Sequence, residues 1–599
     1  MTDALIQRTR DARRTLVRTL HNELGPEGHW SGELSSSALS TATAVTALAE
    51  VDREAHGPLI RGGLAWLARN INADGGWGDT VRSISNLSTT ALVWAAFGAA
   101  RADAEYRSCV DSAESYIRTH AGSLERVVPE IEARYGKDRT FSVPISMMLA
   151  LSGRLGAKGW DQVRSLPFEL AAFPRGVFGA LRLPVVSYAL PALIAIGQVI
   201  HFRTGRWNPL RSLARARTLR TLITLQPPNG GFLEATPLTS FVTMSLAGMG
   251  LGDHLVARRG VEFLRQSVRP DGSWPIDTNL ATWVTTLSVK ALHWDEAEIA
   301  SPSFRKEVVR DWILAQQYHV VHPYTGAAPG GWAWTDLPGG VPDADDTAGA
   351  LIALHALRAD VDAKDAALDS SVTAGIEWLL GLQNRDGGIP TFCRGWGTLP
   401  FDRSTPELTA HALRAWAVWH SELAPELASR VGKAARRAVL FLEQSQRSDG
   451  VWIPLWFGNE AEAAQENPVY GTAQVLIALH DIRSSGLLPG STGTMESRAV
   501  DYLLRAQRTD GGWGGAVGLV STVEETSLAL RALKPVVDAT AAVEQGTRWL
   551  LDRLEESPLP QPAPIGLYFA RLWYFERMYP LVFAADTLGA LSVSANPRG

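Results

Sequence analysis

Apolar positions recur with helical spacing in stretch after stretch of the chain, among them "STTALVWAAFGAA", "LATWVTTLSVKAL", "DDTAGALIALHAL", "ELTAHALRAWAV", "YGTAQVLIALH" and "VEETSLALRAL". The spacing is that of an α-helix, and a polar or acidic first turn leads into each apolar run, as at a capped helix start. Strand-like alternation is almost absent. The pattern predicts an all-α chain.

A second pattern separates these stretches: a helix ending in Gln or Asn, a short polar turn, then Gly and an aromatic. "LAWLARNINADGGWGD" reaches its aromatic at Trp77, "LRTLITLQPPNGGF" at Phe232, "VEFLRQSVRPDGSWP" at Trp274, and "RDWILAQQ" leads, after an insertion, to "PGGWAW" at Trp332. "IEWLLGLQNRDGGIP", "VLFLEQSQRSDGVWIP" and "VDYLLRAQRTDGGWGG" repeat it, the last two at Trp452 and Trp513. Such periodicity marks a repeat architecture in which paired helices close into rings, one helix inside and one outside. Roughly fourteen or more helices are too many for one small ring, which predicts two α/α barrels. In each turn Asp caps, Gly supplies unusual backbone angles, the aromatic packs back and Gln reaches the next helix, so these residues read as scaffold staples.

At 599 residues the chain is too long for one ordinary core. Lys and Arg total 57 against 62 Asp and Glu, a net charge of -5, and no long basic run argues for a nucleic-acid partner. Two cysteines, Cys109 and Cys393, exclude a disulfide scaffold and a Cys-rich metal site. The opening "MTDALIQRTRDARRTLVRTL" reads as a surface helix rather than a secretory signal. One run, "LPVVSYALPALIAIGQVI" at 183–200, carries no charge; its prolines, Tyr188 and Gln198 argue for a buried helix or one dipping into a single leaflet rather than a span.

"PDADDTAGALIALHAL" places Asp343, Asp345 and Asp346 in the first turn of an apolar helix. One Asp suffices for a cap; three crowd one another, and at least one must gain proton affinity and so become a candidate general acid.

This aspartate cluster, followed by Thr347 and Ala348 and set among the Gln/Gly/Trp repeats, resembles the class II terpene cyclases, above all the squalene–hopene cyclases. The resemblance covers the chain firmly from about residue 300 to its end and loosely before that. It implies two α/α barrels: an N-terminal helix, 1–20, packing with the second barrel; an inserted first barrel, 21–300, with a membrane-facing patch; and a second barrel, 301–599, carrying the aspartates. It implies protonation of a terminal alkene by Asp345, with Asp343 and Asp346 raising its proton affinity and His411 of "TPELTAHALRAW" sharpening its acidity as an imidazolium. Tyr470 of "PVYGTAQV" corresponds to a tyrosine that holds a proton-relay water. Cation-stabilising aromatics are implied at Trp334 near the aspartates, Phe392 beside the first ring, Trp456 along the wall, Trp283 further down the cavity, and Tyr568 and Phe575 near the C-terminus.

The expected reaction is cationic polycyclisation of a linear polyprene, squalene to a polycyclic triterpene of the hopene or hopanol type, by a cytoplasmic enzyme monotopic on the inner membrane and in a possible homodimer. No metal site and no cofactor are expected, Mg²⁺ entering only with a diphosphate substrate. Departures from the family pattern keep other prenyl substrates open: Leu572 stands where a third aromatic is usual, Thr43 and Leu92 replace glutamates, and "FLEATPLTSF" with Glu234 stands where the water-ordering segment belongs. A diterpenyl diphosphate, a tetraprenyl hydrocarbon or a prenylated aromatic is the alternative. A zinc-dependent protein prenyltransferase β subunit and an inert repeat scaffold are the more distant ones.

Overall fold

A computed structural model of the protein describes residues 2–136, 139–173, 189–205, 208–294, 304–358, 365–392, 400–487, 492–557, 559–567 and 571–592. The fold is all-α, and two small two-stranded sheets are the only strand pairs among the described residues. The helices form two closed rings. In the first, the inner helices Ala38–Asp52, Leu87–Ala99, Arg139–Leu151, Leu190–Thr204 and Thr236–Ala247 pack in succession and the last returns to the first. In the second, Ala281–Leu292, Ala344–Leu357, Pro406–Trp419, Pro468–Ser484, Val523–Leu533 and Tyr579–Ser592 do the same. Outer helices back each ring, and the N-terminal helix Asp3–Glu23 is one of them, lying against Tyr579–Ser592 and Thr540–Glu556 of the second.

Inner and outer helices differ as their surroundings require. Inner Ala344–Leu357 is buried on nearly every side and, beyond its acidic first turn, is apolar apart from Thr347 and His355. Outer Leu255–Ser267 buries only Val256, Ala257, Gly260, Val261, Phe263 and Leu264, a single stripe at helical spacing.

The repeated turns are staples in the literal sense. Where the turn carries a tryptophan, its indole N–H donates back to a carbonyl of the preceding outer helix, as Trp77 to Leu67 at 2.8 Å, Trp452 to Leu442 at 2.8 Å and Trp513 to Leu503 at 2.7 Å. Its backbone N–H donates forward to a threonine hydroxyl in the first turns of an inner helix: Trp77 to Thr90, Trp332 to Thr347, Trp452 to Thr472 and Trp513 to Thr526. The glutamine amide donates both within its own turn and to a carbonyl of the next outer helix, as Gln383 to the carbonyls of Gly387 and Ala434 and Gln507 to those of Gly511 and Ala542. The same device shuts the rings: Trp274 donates to Thr41, joining the end of the first ring to its start, and Trp30 donates to Thr285. Glycine is required where the chains close up, for Gly387 has φ +95° and a Cβ there would collide with the carbonyl of Arg437.

The described part of the uncharged 183–200 run is the inner helix Leu190–Thr204, buried from Leu190 to Ile200 apart from Ala192; residues 183–188 lie outside the described residues. Among the described residues no helix is long and apolar enough to cross a membrane.

The loops that enter the inner helices of one ring meet those of the other. Glu234 accepts from the Gly339 backbone N–H at 2.7 Å, Asp79 from Trp573 N–H at 2.8 Å, and Glu460 from Ile84 N–H at 3.3 Å. The two rings therefore face one another through the N-terminal ends of their inner helices.

Candidate active site

Asp343 is the N-cap of inner helix Ala344–Leu357: its Oδ1 accepts from the Asp346 backbone N–H at 2.8 Å, and its own N–H is fixed to the Trp332 carbonyl at 2.9 Å. The staple that holds Trp332 thus also sets the position of the aspartates. Asp343 and Asp346 are buried, and one oxygen of each, Oδ2 and Oδ1 respectively, has no hydrogen-bond partner. Burial, and after it the charge of the neighbouring carboxylates, push both above the carboxylate range, Asp343 to about 8. Crowding and burial thus raise the proton affinity of both flanking residues.

Asp345 turns away from them toward the lumen of the second ring, where its Oδ1 lies 2.5 Å from Nδ1 of His411 on the next inner helix. Both side chains keep some exposure, 20% and 14%, although the helices around them are buried, which places them on an internal space. Burial lowers the pKa of His411, with Asp345 opposing and the more distant Arg414 and Lys290 adding to the fall. Burial therefore works against the imidazolium expected from the sequence, and the Asp345 contact is what favours it.

Below His411 the lumen is filled with ion pairs. Arg414 donates to Asp481 at 2.7 Å, Lys290 lies 3.3 Å from Asp586, and the Trp294 indole donates to Asp586 at 2.7 Å.

Five aromatic side chains surround the Asp345–His411 pair. Trp283 stands edge-on to the imidazole with centroids 6.0 Å apart, and its indole N–H donates to the Tyr579 hydroxyl at 3.1 Å. Phe457 stacks on Tyr470 at 4.3 Å and approaches Trp283 and Tyr579 at 6.4 and 6.3 Å. Tyr574 shares a hydrogen bond with Tyr579, and burial raises the hydroxyls of Tyr470 and Tyr579 well above the ordinary phenol value. Neutral phenols and π faces are what a cation needs, because they attract it without capturing it. Trp283, expected further down the cavity, is instead beside the acid because it opens the inner helix adjacent to that of Asp345.

A second aromatic group lies at the junction of the rings. Trp334 and Phe392 are 6.1 Å apart, Phe401 packs on Phe392 at 5.0 Å and on Trp456 at 5.4 Å, and the Trp456 indole donates to Thr391 at 3.1 Å. The expected residues Trp334, Phe392 and Trp456 thus come together, joined by Phe401. Phe575 is brought to neither group: its backbone pairs with Ser35, and the Arg82 guanidinium covers its ring at 5.4 Å. Tyr568 and Cys393 lie outside the described residues.

Sequence reasoning missed Phe401, Phe457, Tyr574, Tyr579 and Glu407. Glu407 is buried in the first turn of the His411 helix, accepts from Leu455 N–H at 2.6 Å, and is raised to about 7 by burial, with the Asp345 charge contributing. The signal for it was present: "TPELTAHAL" repeats the proline-and-acid opening of "VPDADDTAG". Glu234 is fully buried and holds a loop at φ +54°, with Asn229 donating to it at 2.6 Å besides Gly339; this is a structural anchor across the ring junction. No cluster of His, Cys, Asp or Glu able to hold a metal occurs among the described residues.

The squalene-hopene cyclase C-terminal domain is matched by residues 1–102 and 279–558. The chain is similar to enfumafungin synthase of Hormonema carpetanum, 25% identical over 653 residues that cover 94% of this chain and 47% of that protein. It is similar to a squalene–hopene cyclase of Bradyrhizobium diazoefficiens, 26% identical over 363 residues, 54% of this chain and 51% of that one. The chain spans about half the length of these curated relatives. The solved structure of ent-copalyl diphosphate synthase from Streptomyces platensis shares the fold, with a TM-score of 0.58, 18% identity, and 98% and 99% of the two chains covered.

Proposed function

The chain belongs to the squalene–hopene cyclase family, and from that membership we propose that it is a class II terpene cyclase in which Asp345 protonates the terminal alkene of a linear polyprene. The observation that carries the reading is the 2.5 Å contact of Asp345 with His411 on an aromatic-lined lumen closed below by ion pairs. Transfer of the proton forms a C–H bond, leaves a tertiary cation on the substrate and a carboxylate on Asp345. His411 stabilises that carboxylate, and Trp283, Phe457, Tyr470, Tyr574 and Tyr579 stand around the cation as successive double bonds attack it. Trp334, Phe392, Phe401 and Trp456 form the wall toward the first ring. The cascade ends when the last cation loses a proton or takes a water.

Squalene is the hydrocarbon substrate that family membership puts first, and a polycyclic triterpene its product. A prenyl diphosphate is the second reading, favoured by two arginines at the ring junction. The chain's own residues supply acid and cation stabilisation, so the chemistry needs no cofactor; Mg²⁺ would accompany only a diphosphate head group. A lipid-soluble substrate also calls for a membrane surface. Phe173, Phe202, Leu210 and Leu213, 49 to 80% exposed on adjoining segments of the first ring, supply an apolar patch for monotopic binding. Co-sedimentation with phospholipid vesicles, abolished in Leu210→Asp/Leu213→Asp, tests that surface; equal sedimentation of the variant would remove it.

The test of the reaction is incubation of the protein and of Asp345→Asn with a panel of linear polyprenes, hydrocarbons and diphosphates alike. A cyclic product from one of them, absent with the variant, is expected. No cyclic product from any would overturn the reading.

A further inference from the structure

Arg134 ends the helix Val127–Tyr135, beside the inner helix Leu87–Ala99, and the neighbouring Tyr135 hydroxyl lies 3.3 Å from that of Ser88 in the first turn of that helix. This is the end of the first ring that faces the second. Arg134 Nε is buried and has no hydrogen-bond partner.

Arg571 approaches from the other ring. It immediately precedes the strand Leu572–Tyr574, and its φ of +50° is one a non-glycine residue holds only where its surroundings fix it. The fixing contact is two residues on, where Trp573 N–H donates to Asp79 at 2.8 Å. Arg571 is half-buried, and the Arg134 charge acts on it in the same sense as burial, lowering its pKa.

Neither guanidinium has an ion-pair partner among the described residues. Asp79, the carboxyl between the rings, does not supply one. Its Oδ1 accepts from Asn86 at 2.9 Å and from the Thr89 hydroxyl, its Oδ2 from Trp573, and burial raises it toward the neutral form. Two like charges drawn together, partly desolvated and without a counter-ion are costly, and an unpartnered buried donor asks for a missing acceptor. Guanidinium forks match phosphate oxygens.

We propose that Arg134 and Arg571 form an anion site at the junction of the rings that takes the diphosphate head group of a prenyl substrate. The proposal rests on the cyclase reading and takes the second of its two substrate readings, the prenyl diphosphate. Tyr574, in the cage around Asp345, lies three residues after Arg571 in the chain, ~10 Å at the rise of a strand, so the C-terminal hairpin spans from the acid to the anion site. A linear substrate is then held at both ends, its alkene at Asp345 and its charge at the arginines.

The test titrates inorganic pyrophosphate into the intact protein by calorimetry, for wild type, Arg134→Gln, Arg571→Gln and, as a control, the exposed Arg10→Gln. Binding is expected in wild type and the control, and at least tenfold weaker binding in each of the other two at unchanged melting temperature. With farnesyl and geranylgeranyl diphosphates the same two variants should raise KM at least tenfold, whereas Asp345→Asn should lose kcat and still bind pyrophosphate. Absence of pyrophosphate binding in wild type overturns the site. So does cyclisation of squalene with none of either prenyl diphosphate, or turnover of farnesoic acid in preference to them. Pyrophosphate binding with no cyclisation of any polyprene would instead uphold the anion site and remove the cyclase reading.

Discussion

His411→Ala takes away the partner that meets Asp345 at 2.5 Å without touching the cap made by Asp343. Before proton transfer Asp345 is an acid; afterwards it is a carboxylate, and only then does a donor on His411 bond to full charge. A hydrogen bond to a charged group is worth about 1.5–3 kcal/mol. Expressed in the transition state and not in the ground state, that loss lowers kcat by about 10- to 150-fold with KM little changed. His411→Gln, which keeps a donor, should recover part of the loss. The pH profile separates this from a packing defect. Burial holds His411 below its ordinary value, so wild-type kcat should climb as pH falls below about 6.5 and the imidazolium fills, and both variants should lack that limb. The assay is steady-state formation of cyclic product, with melting curves to confirm folding. A His411→Ala enzyme within twofold of wild type, or one that keeps the acid limb, would refute the role.

Three further outcomes follow from the geometry. Thr472→Val leaves the buried Trp452 N–H without its acceptor and should cost about 1–3 kcal/mol in urea denaturation; a change below 0.5 would mean the threonine is not a staple. Glu407, raised to about 7 in the folded protein from 4.5, contributes stability that is complete below pH 4.5 and is lost as pH rises through 7; Glu460, Glu524 and Glu576, each raised to about 8, extend the loss. The melting temperature should therefore fall from pH 5 to 8, and Glu407→Gln should fall less steeply; parallel curves would contradict the assignment. Phe457→Leu, which keeps apolar volume but removes a π face beside Tyr470, should lower kcat and release partly cyclised products seen by gas chromatography, and an unchanged product profile would place Phe457 outside the cation's path.

The scaffold was readable because each staple is local. Gln, Gly and Trp sit within about fifteen residues of one another, and the helix each serves carries its own apolar run, so periodicity alone announces them. The aspartates were readable for the same reason: Asp343, Asp345 and Asp346 share one helical turn. The cage was less so, because it is assembled by ring closure. Phe457 and Trp456 are neighbours on a loop that points them to different aromatic groups, and nothing in "WIPLWFG" says which faces the acid. Tyr579 opens the last inner helix, which returns beside Ala281–Leu292 from nearly three hundred positions away. Phe575 was expected in the lining, but its backbone pairing with Ser35 turns it to the ring junction. Arg134 and Arg571 belong to different rings, and no spacing along the chain could relate them.

The claim at the centre of the account is that Asp345 delivers a proton to carbon. Turnover of the accepted polyprene in heavy water, with the cyclic product analysed by mass spectrometry, measures it directly. Wild type should give a product carrying one non-exchangeable deuterium on the first ring, and Asp345→Asn, folded as wild type, should give none. A product free of deuterium, or an Asn variant that labels it as efficiently as wild type, would show that the acid lies elsewhere.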